Sequence, residues 1–237
     1  MPVLVITGTG TEVGKTVTTA AVAAAAVAAG RSVAVLKPAQ TGVRPDERGD
    51  ADEVARLAGA VTTRELARFP EPLAPATAAR RAGMRAVRPH DVAEAASELA
   101  AGHDLVLVEG AGGLGAVRRR GRTLADAARL LAAPVLVVAA AGLGTLNSTE
   151  LTARELRQRG LELAGVVIGS WPVAADLASR CNLADLPVVT ESPLLGALPA
   201  GRGAHPPAGF RATAPGWLAP RLGGTWDAGA FTSEFAS

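Results

Sequence analysis

Short apolar runs alternate with longer, alanine-rich stretches along most of the chain. The runs are rich in Val, Leu and Ile, which is typical of strands that are buried on both faces of a parallel sheet. The stretches between the runs predict helices. The predicted strands are Val3–Thr7, Val33–Leu36, Leu105–Glu109, Val135–Ala139, Leu163–Ile168 and Pro187–Thr190. The predicted helices are Lys15–Ala29, Ala51–Gly59, Asp91–Ala101, Thr123–Leu131, Leu146–Arg159 and Val173–Asn182.

This alternation predicts an α/β fold with a doubly wound, mainly parallel sheet and helices on both faces. Ligands bind such sheets at the carboxyl ends of the strands, so functional residues are expected directly after the apolar runs. With 237 residues, the chain is expected to form a single domain over residues 1–237. Gly, Pro and Arg dominate from Gly201 to Gly224, which predicts that the tail, residues 201–237, is partly irregular.

Composition argues against several classes of protein. Cys181 is the only cysteine, so no disulfide framework or thiolate metal cluster is expected, and the cytoplasm is the expected compartment. We interpret Cys181 as a small buried apolar group. The apolar run Ala20–Ala29 is too short to cross a bilayer, so no membrane partner is predicted. The cluster of Arg118, Arg119, Arg120 and Arg122 predicts a solvated loop, because nucleic-acid surfaces need more basic area and interleaved aromatic residues.

The isolated histidines and tryptophans predict no chemistry of their own. His90, His103 and His205 lie outside the motifs described below, so surface or helix-end positions are expected. Trp217 and Trp226 are expected to anchor the tail, and Trp171 is expected near the bound base if a nucleotide binds.

A phosphate-binding loop is predicted directly after the first strand. It reads Thr7-Gly8-Thr9-Gly10-Thr11-Glu12-Val13-Gly14-Lys15-Thr16 and leads into an alanine-rich helix. Glycines let backbone N–H groups converge on phosphate oxygens, and the helix dipole favours an anion there. In such a loop Lys15 reaches the β- and γ-phosphates, and the Thr16 hydroxyl can bind Mg²⁺. The first glycine lies one residue further back than the strict motif requires, but the strand–loop–helix context predicts a P-loop NTPase-type fold.

Carboxylates after the apolar strands predict a metal site. Glu109 ends a strand and is followed by Gly110-Ala111-Gly112-Gly113. A hard oxygen ligand for Mg²⁺ beside phosphates accounts for an acid at this position. Asp50 and Asp52 follow the second strand and offer a further carboxylate. Acidic residues are also common at helix N-termini, which explains Asp52 better than Asp50.

The choice of lysine at two positions indicates a second functional cation. Of 24 lysines and arginines, only Lys15 and Lys37 are lysine. Because arginine serves the other cationic positions, a retained lysine indicates a site that needs a compact ammonium. Lys37 opens the segment Lys37-Pro38-Ala39-Gln40-Thr41-Gly42 after the second strand. Its ammonium and the Thr41 hydroxyl predict binding of a transferred phosphoryl group and its acceptor.

These motifs together resemble the dethiobiotin synthetases, most closely the actinobacterial branch. The resemblance rests on Thr7–Thr16, Lys37–Gly42, Val108–Gly113 and Gly144–Asn147, and it extends to about residue 200 through the similar segment Pro193–Pro199. It implies a homodimer with active sites at the subunit interface that acts on 7,8-diaminopelargonate, CO₂ and ATP. It further implies that the substrate amine takes up CO₂ as a carbamate, that ATP phosphorylates the carbamate, and that the second amine closes the ring to dethiobiotin in biotin biosynthesis.

The resemblance also implies a role for each matching residue. The implied catalytic residues are Lys37, Lys15, Thr11 and Thr41. The implied nucleotide-binding residues are Thr11, Glu12, Val13, Gly14, Lys15, Thr16, Val17, Gly169, Ser170, Pro199 and Ala200. The implied Mg²⁺ ligands are Thr16, Asp50 and Glu109. The implied substrate-binding residues are Thr41 together with Gly144, Thr145, Leu146 and Asn147, the last four reaching in from the neighbouring subunit.

Two positions depart from the pattern of the family. Gly10 stands where many relatives carry Asp, and Gly169-Ser170 stands where many carry an Asn-Asp pair that reads the adenine base. A side-chain amide makes specific hydrogen bonds to a base, and glycine has none. We therefore expect relaxed selectivity for the nucleotide base.

Two other functions share parts of this pattern. A ParA/MinD-like switch ATPase shares the predicted fold, but Gly10 occupies the position of the signature lysine of those proteins. The synthetase half of a cobyrinate-type amidotransferase would need a glutaminase domain with a catalytic cysteine, for which 237 residues leave no room.

Overall fold

The computed structural model describes residues 2–114 and 123–235. The predicted arginine-rich loop lies outside these ranges. Within them the strands are β1 (Val3–Gly8), β2 (Val33–Lys37), β3 (Gln40–Thr41), β4 (Thr62–Glu65), β5 (Arg68–Phe69), β6 (Leu105–Gly113), β7 (Val135–Ala139), β8 (Leu163–Trp171) and β9 (Leu194–Pro199). The α-helices are α1 (Lys15–Ala28), α2 (Asp50–Ala58), α3 (Pro75–Arg81), α4 (Pro89–Ala100), α5 (Leu124–Leu130), α6 (Thr145–Gln158), α7 (Leu177–Thr190), α8 (Pro207–Thr213) and α9 (Ala228–Phe235).

The predicted parallel sheet is confirmed. Among the described residues, seven strands form one sheet in the order β4-β2-β6-β1-β7-β8-β9, with every neighbouring pair parallel. The short strands β3 and β5 pair separately beside it. Because all strands of the main sheet run the same way, their carboxyl ends meet at one edge. The first strand lies at the centre of that edge.

Helices cover both faces of this sheet, as predicted. Leu4 and Ile6 of β1 pack with α1 and α2 on one face, whereas Val3 and Val5 pack with α4 and α5 on the other. The central strands are therefore buried on both sides, which explains their continuous apolar runs. No helix among the described residues is long and apolar enough to cross a membrane.

The predicted strand Pro187–Thr190 is wrong, because these residues form the last turn of α7. Their β-branched composition suggested a strand. The buried side chains of this helix, however, follow helical spacing, with Leu183, Leu186 and Thr190 inside and Val188 74 % exposed. A buried strand would hide consecutive residues. Helical burial outweighs the cost of the internal proline, and the last strand of the sheet is β9 instead.

Two further predictions at this edge of the molecule need correction. The helix predicted at Val173–Asn182 begins at Leu177, where the Asp176 carboxylate accepts a hydrogen bond from the Ser179 backbone N–H at 2.7 Å and caps it. Cys181 is exposed and not buried, because it lies on the outer side of this helix.

The tail is more regular than its composition predicted. Residues 202–222 form α8 and three 3₁₀ turns, and α9 follows. Phe210, Ala214 and Leu218 are fully buried and pack in the same cluster as α1, so tertiary contacts order a stretch that lacks a periodic apolar pattern. Trp217 and Trp226 are buried as expected and hold this segment against the rest of the chain.

Candidate active site

The predicted phosphate loop joins the central strand β1 to α1. Gly14 caps α1 with a φ of 94°, a left-handed conformation that favours glycine. A side chain at Gly14 would also overlap the backbone of Gly169. The Lys15 ammonium reaches back and donates to the Gly10 carbonyl at 2.7 Å. The loop is therefore tightly wound around a lysine, and the positive end of the α1 dipole lies beside it.

The surroundings of Lys15 disfavour the charged form of its side chain. Burial lowers the pKa of its ammonium, and the nearby Lys37 ammonium lowers that pKa further. The carboxylates of Glu109 and Asp50 act in the opposite direction without restoring the ordinary value. An anion placed in the loop would raise the pKa of Lys15 again, so the site favours a bound phosphate.

A buried ion cluster lies next to the loop. The Lys37 ammonium, at the end of β2, donates to Glu109 Oε1 at 2.8 Å and pairs with the Asp50 carboxylate. Lys37 is 2 % exposed and Glu109 is 1 % exposed, whereas Asp50 is 37 % exposed. Burial lowers the pKa of Lys37, but the two carboxylates outweigh it and hold the pKa above its usual range. Lys37 is therefore a permanent cation.

The three predicted Mg²⁺ ligands meet at this cluster. Thr16 Oγ1 donates to Glu109 Oε1 at 3.0 Å, and Glu109 and Asp50 both contact the same ammonium. Among the described residues, Glu109 Oε2 is buried and has no hydrogen-bond partner. No group of three or more His, Cys, Asp or Glu side chains that could hold a metal lies within the described ranges. Two carboxylates and a hydroxyl nevertheless fit a Mg²⁺ ion that also binds phosphate oxygens.

Gln40 supports this cluster and was missed as a functional residue. It is 4 % exposed, and its Oε1 accepts a hydrogen bond from the Asp50 backbone N–H at 2.8 Å. This contact caps the start of α2 and fixes the residue that carries the carboxylate. Gln40 belongs to the segment Lys37–Gly42, but nothing in the sequence indicates that its side chain reaches Asp50, ten positions away.

The predicted threonines border the same space. Thr41 lies at the end of β3 and is partly exposed, and Thr11 is exposed in the phosphate loop. Glu12 beside it has a φ of 61°, which is uncommon for a residue with a side chain. Both threonines are therefore at least partly accessible to solvent.

The predicted nucleotide-side residues lie on the other flank of the loop. A Cβ at Gly169, on β8, would overlap the Val13 carbonyl oxygen, so the strand packs directly on the loop backbone. Ser170 is exposed, and the Ala200 N–H donates to the Trp171 carbonyl at 2.7 Å, which ties the end of β9, with Pro199, to β8. Val17 on α1 lies close to Gly203 and completes this flank.

Trp171, which is predicted to pack beside a bound base, lies on β8 directly after Gly169 and Ser170. Its ring is 6 % exposed and packs edge-on against Phe231 and Phe235 of α9, with centroid distances of 5.4 and 5.1 Å. The indole therefore anchors the last helix of the described chain, and its face is not open for stacking.

The predicted substrate loop is not brought to Lys37 within one chain. Gly144, with a φ of 89°, begins α6 after β7, and Leu146 packs beneath it while Asn147 is exposed. Thr145 is buried. In the sheet order, β7 lies three strands from β2, which corresponds to about 14 Å across the phosphate loop.

A cavity of about 820 Å³ opens beside the ion cluster. Its wall next to the cluster includes Pro38, Ala39, Gly110 and Ala111, and α3, α4 and α5 enclose the rest. Most of the surrounding side chains are apolar. The cavity can hold an aliphatic molecule whose reactive end lies near Lys37.

A phosphate loop at the central strand of a parallel sheet, with a buried acid at the end of the next strand, defines a P-loop nucleoside triphosphatase. A family profile described as an AAA domain matches residues 3–208. The cell-division ATPase MinD of Pyrococcus furiosus has a similar structure, with a TM-score of 0.57, 17 % identity and coverage of 90 % of this chain and 97 % of that one. MinD of Pyrococcus horikoshii in complex with Mg-ADP gives a TM-score of 0.58 at 15 % identity, with 99 % and 94 % coverage. These identities show a shared fold alone.

Sequence relatives are far closer. The chain is 81 % identical to the ATP-dependent dethiobiotin synthetase BioD of Streptomyces avermitilis, over 99 % of both chains. It is 74 % identical to the enzyme of the same name from Streptomyces coelicolor over 98 % of both, and 68 % identical to that of Saccharopolyspora erythraea over 95 % of this chain and 99 % of that one. The chain belongs to the dethiobiotin synthetase family, which confirms the family predicted from the motifs.

Proposed function

We propose that this enzyme, an ATP-dependent dethiobiotin synthetase of biotin biosynthesis, closes the ureido ring through a carbamate and a carbamic-phosphoric anhydride. The observation that supports this proposal is the Lys37 ammonium, buried between Asp50 and Glu109 beside the phosphate loop. A permanent cation there can neutralise charge on the transferred phosphoryl group and on the carboxylated amine that accepts it.

The chemistry divides into three balanced steps. One amine of 7,8-diaminopelargonate adds to CO₂ and loses a proton, which gives a carbamate. A carbamate oxygen then attacks the γ-phosphorus of ATP, and ADP leaves. The second amine attacks the carbamoyl carbon and loses a proton, phosphate leaves with the oxygen that it bridged, and a five-membered ring closes.

The residues around the loop take distinct roles in these steps. Lys15 binds the β- and γ-phosphates, and Lys37 follows the transferred phosphoryl group and holds the carbamate. Thr11 and Thr41 donate hydrogen bonds to the carbamate oxygens. Thr11 is exposed in the phosphate loop, and Thr41 is partly exposed four residues after Lys37, which supports this assignment.

Thr16, Asp50 and Glu109 would hold Mg²⁺ when the nucleotide binds. The bound ion would supply positive charge that offsets the negative charge developing during phosphoryl transfer. The support from the chain itself is the convergence of both carboxylates on one cation, with Glu109 Oε2 buried and lacking a hydrogen-bond partner in the part of the chain that the structure describes. The Lys37 ammonium lies between the same two carboxylates, where it can also bind the carbamate.

The nucleotide base and ribose lie on the flank formed by Val17, Gly169, Ser170, Pro199 and Ala200. The loop residues Glu12, Val13 and Gly14 contribute backbone N–H groups to the phosphates. We further propose that the chain acts as one domain, because the tail packs on α1 next to this flank, and that it works in the cytoplasm.

The diamine requires a second subunit. Its aliphatic chain fits the apolar cavity beside Lys37, and its carboxylate tail needs polar donors at the far end. Gly144, Thr145, Leu146 and Asn147 offer a glycine-capped helix N-terminus, but they follow β7, which lies three strands, or about 14 Å, from the strand that ends in Lys37. We propose that a homodimer brings the loop of the partner subunit to this cavity.

Mass spectrometry of the product tests the reaction. The protein is incubated with 7,8-diaminopelargonate, bicarbonate, Mg²⁺ and each nucleoside triphosphate in turn, with single omissions as controls. The expected product is heavier than the diamine by one carbonyl group in place of two hydrogens, and it requires every component. Nucleotide hydrolysis that is independent of the diamine, without such a product, would contradict the proposal.

Complementation tests the composite site. Lys37→Ala and Gly144→Val chains should each be inactive as homodimers. A mixed dimer has one site with both lesions and one with neither, because a two-fold interface exchanges the same surfaces. Random one-to-one pairing should therefore restore about a quarter of all sites. No recovery, with mixed dimers confirmed by native mass spectrometry, would place the site within one chain.

A further inference from the structure

One buried amide side chain holds the loop that leads to Gly144. Asn182 lies in the middle of α7 and is 5 % exposed. Its Nδ2 donates to the Ala141 carbonyl at 2.7 Å and to the Gly142 carbonyl at 3.1 Å. A carboxamide nitrogen carries two hydrogens, so a single side chain satisfies two consecutive backbone acceptors of this loop.

The same contact reaches the start of α6. The Gly142 carbonyl, which Asn182 binds, also accepts a hydrogen bond from the Thr145 backbone N–H at 3.3 Å. That bond closes the turn in which Gly144 takes its left-handed conformation. Asn182 therefore fixes the direction in which the first residues of the helix leave the sheet.

Burial contributes little to the position of the loop tip. Ala141 is buried, but Leu143 is 93 % exposed, and open space surrounds the point where a Cβ of Gly144 would lie. A loop tip without apolar packing depends on hydrogen bonds for its geometry. The side chain of Asn182, on α7, donates two such hydrogen bonds to the loop.

We propose that Asn182 is a positioning residue for the diamine substrate, acting through the loop at residues 141–144. The inference rests on the proposed function, in which Gly144–Asn147 bind the carboxylate tail of the substrate in the partner's site. Asn182 does not touch the substrate. It positions the loop backbone that leads to the substrate-binding residues. Loss of its two hydrogen bonds weakens substrate binding more than it slows the chemical step.

The substitution Asn182→Asp separates shape from hydrogen bonding. Aspartate keeps the size of the side chain, removes both donors, and places a carboxylate against two carbonyl oxygens. We expect the KM for the diamine to rise roughly ten- to a hundredfold, as the loss of two hydrogen bonds to the loop implies. We expect kcat to change by less than about threefold, because binding that is equal in ground and transition states acts on KM.

Nucleotide binding provides the internal control. The phosphate loop belongs to β1 and α1, and Asn182 contacts neither of them in its two hydrogen bonds. The affinity for ATP, measured by calorimetry on the same protein, should therefore stay within about twofold of the unmodified chain. Asn182→Ser, which keeps one short donor, should give a smaller rise in KM, and it replaces Asn182→Asp if that variant does not fold.

Thr190→Val is the matched structural control. Thr190 is also buried on α7, and its hydroxyl donates to the Leu186 carbonyl at 2.7 Å within the helix, away from the loop. Its loss should lower the melting temperature as much as the Asn182 variants do without changing the KM for the diamine. An equal rise in KM in Thr190→Val would reduce the role of Asn182 to stability and overturn the proposal.

The loop variants Asn147→Ala and Asn147→Asp separate this inference from the function on which it rests. If they raise the KM for the diamine and folded Asn182 variants do not, the positioning role of Asn182 is wrong, but the proposal that the loop binds the substrate is supported. If neither the loop variants nor the Asn182 variants change the KM, the loop does not bind the substrate, and both proposals fail together. The expected result is a rise in both sets.

Discussion

Replacing Lys37 by methionine should strongly lower the stability of the folded protein, independently of any effect on catalysis. Methionine keeps the length of the side chain but removes the ammonium that neutralises Glu109. Both residues of this pair are almost fully buried. Removing one partner of a buried ion pair leaves a charge without compensation in the interior, whereas losing an exposed pair has little effect.

The magnitude follows from the burial of each group. An uncompensated Glu109 carboxylate costs about 3–5 kcal/mol in free energy of unfolding. The pair with Asp50 adds at most about 1 kcal/mol, because that carboxylate is 37 % exposed. The ammonium of Lys15 lies within electrostatic range of Glu109 and reduces the loss. We therefore expect about 3 kcal/mol, or a melting temperature lower by roughly 6–12 °C.

Urea unfolding followed by circular dichroism measures this loss, in the absence of nucleotide. Mg²⁺ should stabilise Lys37→Met more than the unmodified protein, because no ammonium competes for the two carboxylates. Adding Glu109→Gln to Lys37→Met removes the buried charge and should recover more than half of the lost stability. A Lys37→Met protein within about 1 kcal/mol of the unmodified chain, or no recovery in the double variant, would refute the reasoning.

Three other predictions concern Lys37 and Gly169. Lys37→Arg should reduce the rate of ring closure about a hundred- to a thousandfold while ATP still binds, because a planar guanidinium does not fit a buried ammonium position. Turnover is measured with saturating substrates, and an Arg variant that retains half the normal turnover would contradict this prediction. Because the pKa of Lys37 is raised, its stabilising effect is complete below the ordinary lysine pKa and is lost only as pH rises through the folded-state value. The stability difference between the unmodified protein and Lys37→Met should therefore stay constant from about pH 6 to pH 9 in urea titrations, and a steep decline in that range would contradict it. With no side-chain amide at Gly169, kcat/KM for CTP or GTP should approach that for ATP, and an ATP preference above about a thousandfold would show that other groups read the base.

The centre of the fold could be predicted because its causes are local or strictly periodic. The central strands are buried on both faces and read as unbroken apolar runs, as in Val135–Ala139. The phosphate loop follows from glycines at fixed spacing before a helix. The meeting of Lys37 and Glu109 follows from one rule, since the carboxyl ends of parallel strands share an edge of the sheet, whereas Asp50 joins them from the start of α2.

The periphery could not be predicted, because tertiary contacts decide it. The edge strand β4 carries polar, partly exposed side chains and shows no apolar run. Pro187–Thr190 has the composition of a strand, and only the burial of the rest of α7 makes it helical. Phe210 and Leu218 order the tail through contacts with α1, whose position the sequence of the tail does not contain.

The roles of the supporting side chains Gln40 and Asn182 could not be predicted from the sequence for a similar reason. Gln40 and Asn182 each act through backbone groups of a distant or separate segment. Neither belongs to a spacing pattern that indicates chemistry. A buried amide becomes meaningful only once its partners are known, because in sequence it is one polar residue in an ordinary stretch.

Oxygen transfer from CO₂ to phosphate tests the central claim most directly. The protein is mixed briefly with 7,8-diaminopelargonate, Mg²⁺, ATP and freshly dissolved C¹⁸O₂ in ordinary water, and the released phosphate is weighed by mass spectrometry. If the carbamate attacks the γ-phosphorus and phosphate later leaves with the bridging oxygen, each phosphate carries one ¹⁸O, and the ring carbonyl keeps the other. Phosphate without ¹⁸O alongside labelled dethiobiotin would mean that water cleaves ATP and that no carbamic-phosphoric anhydride forms.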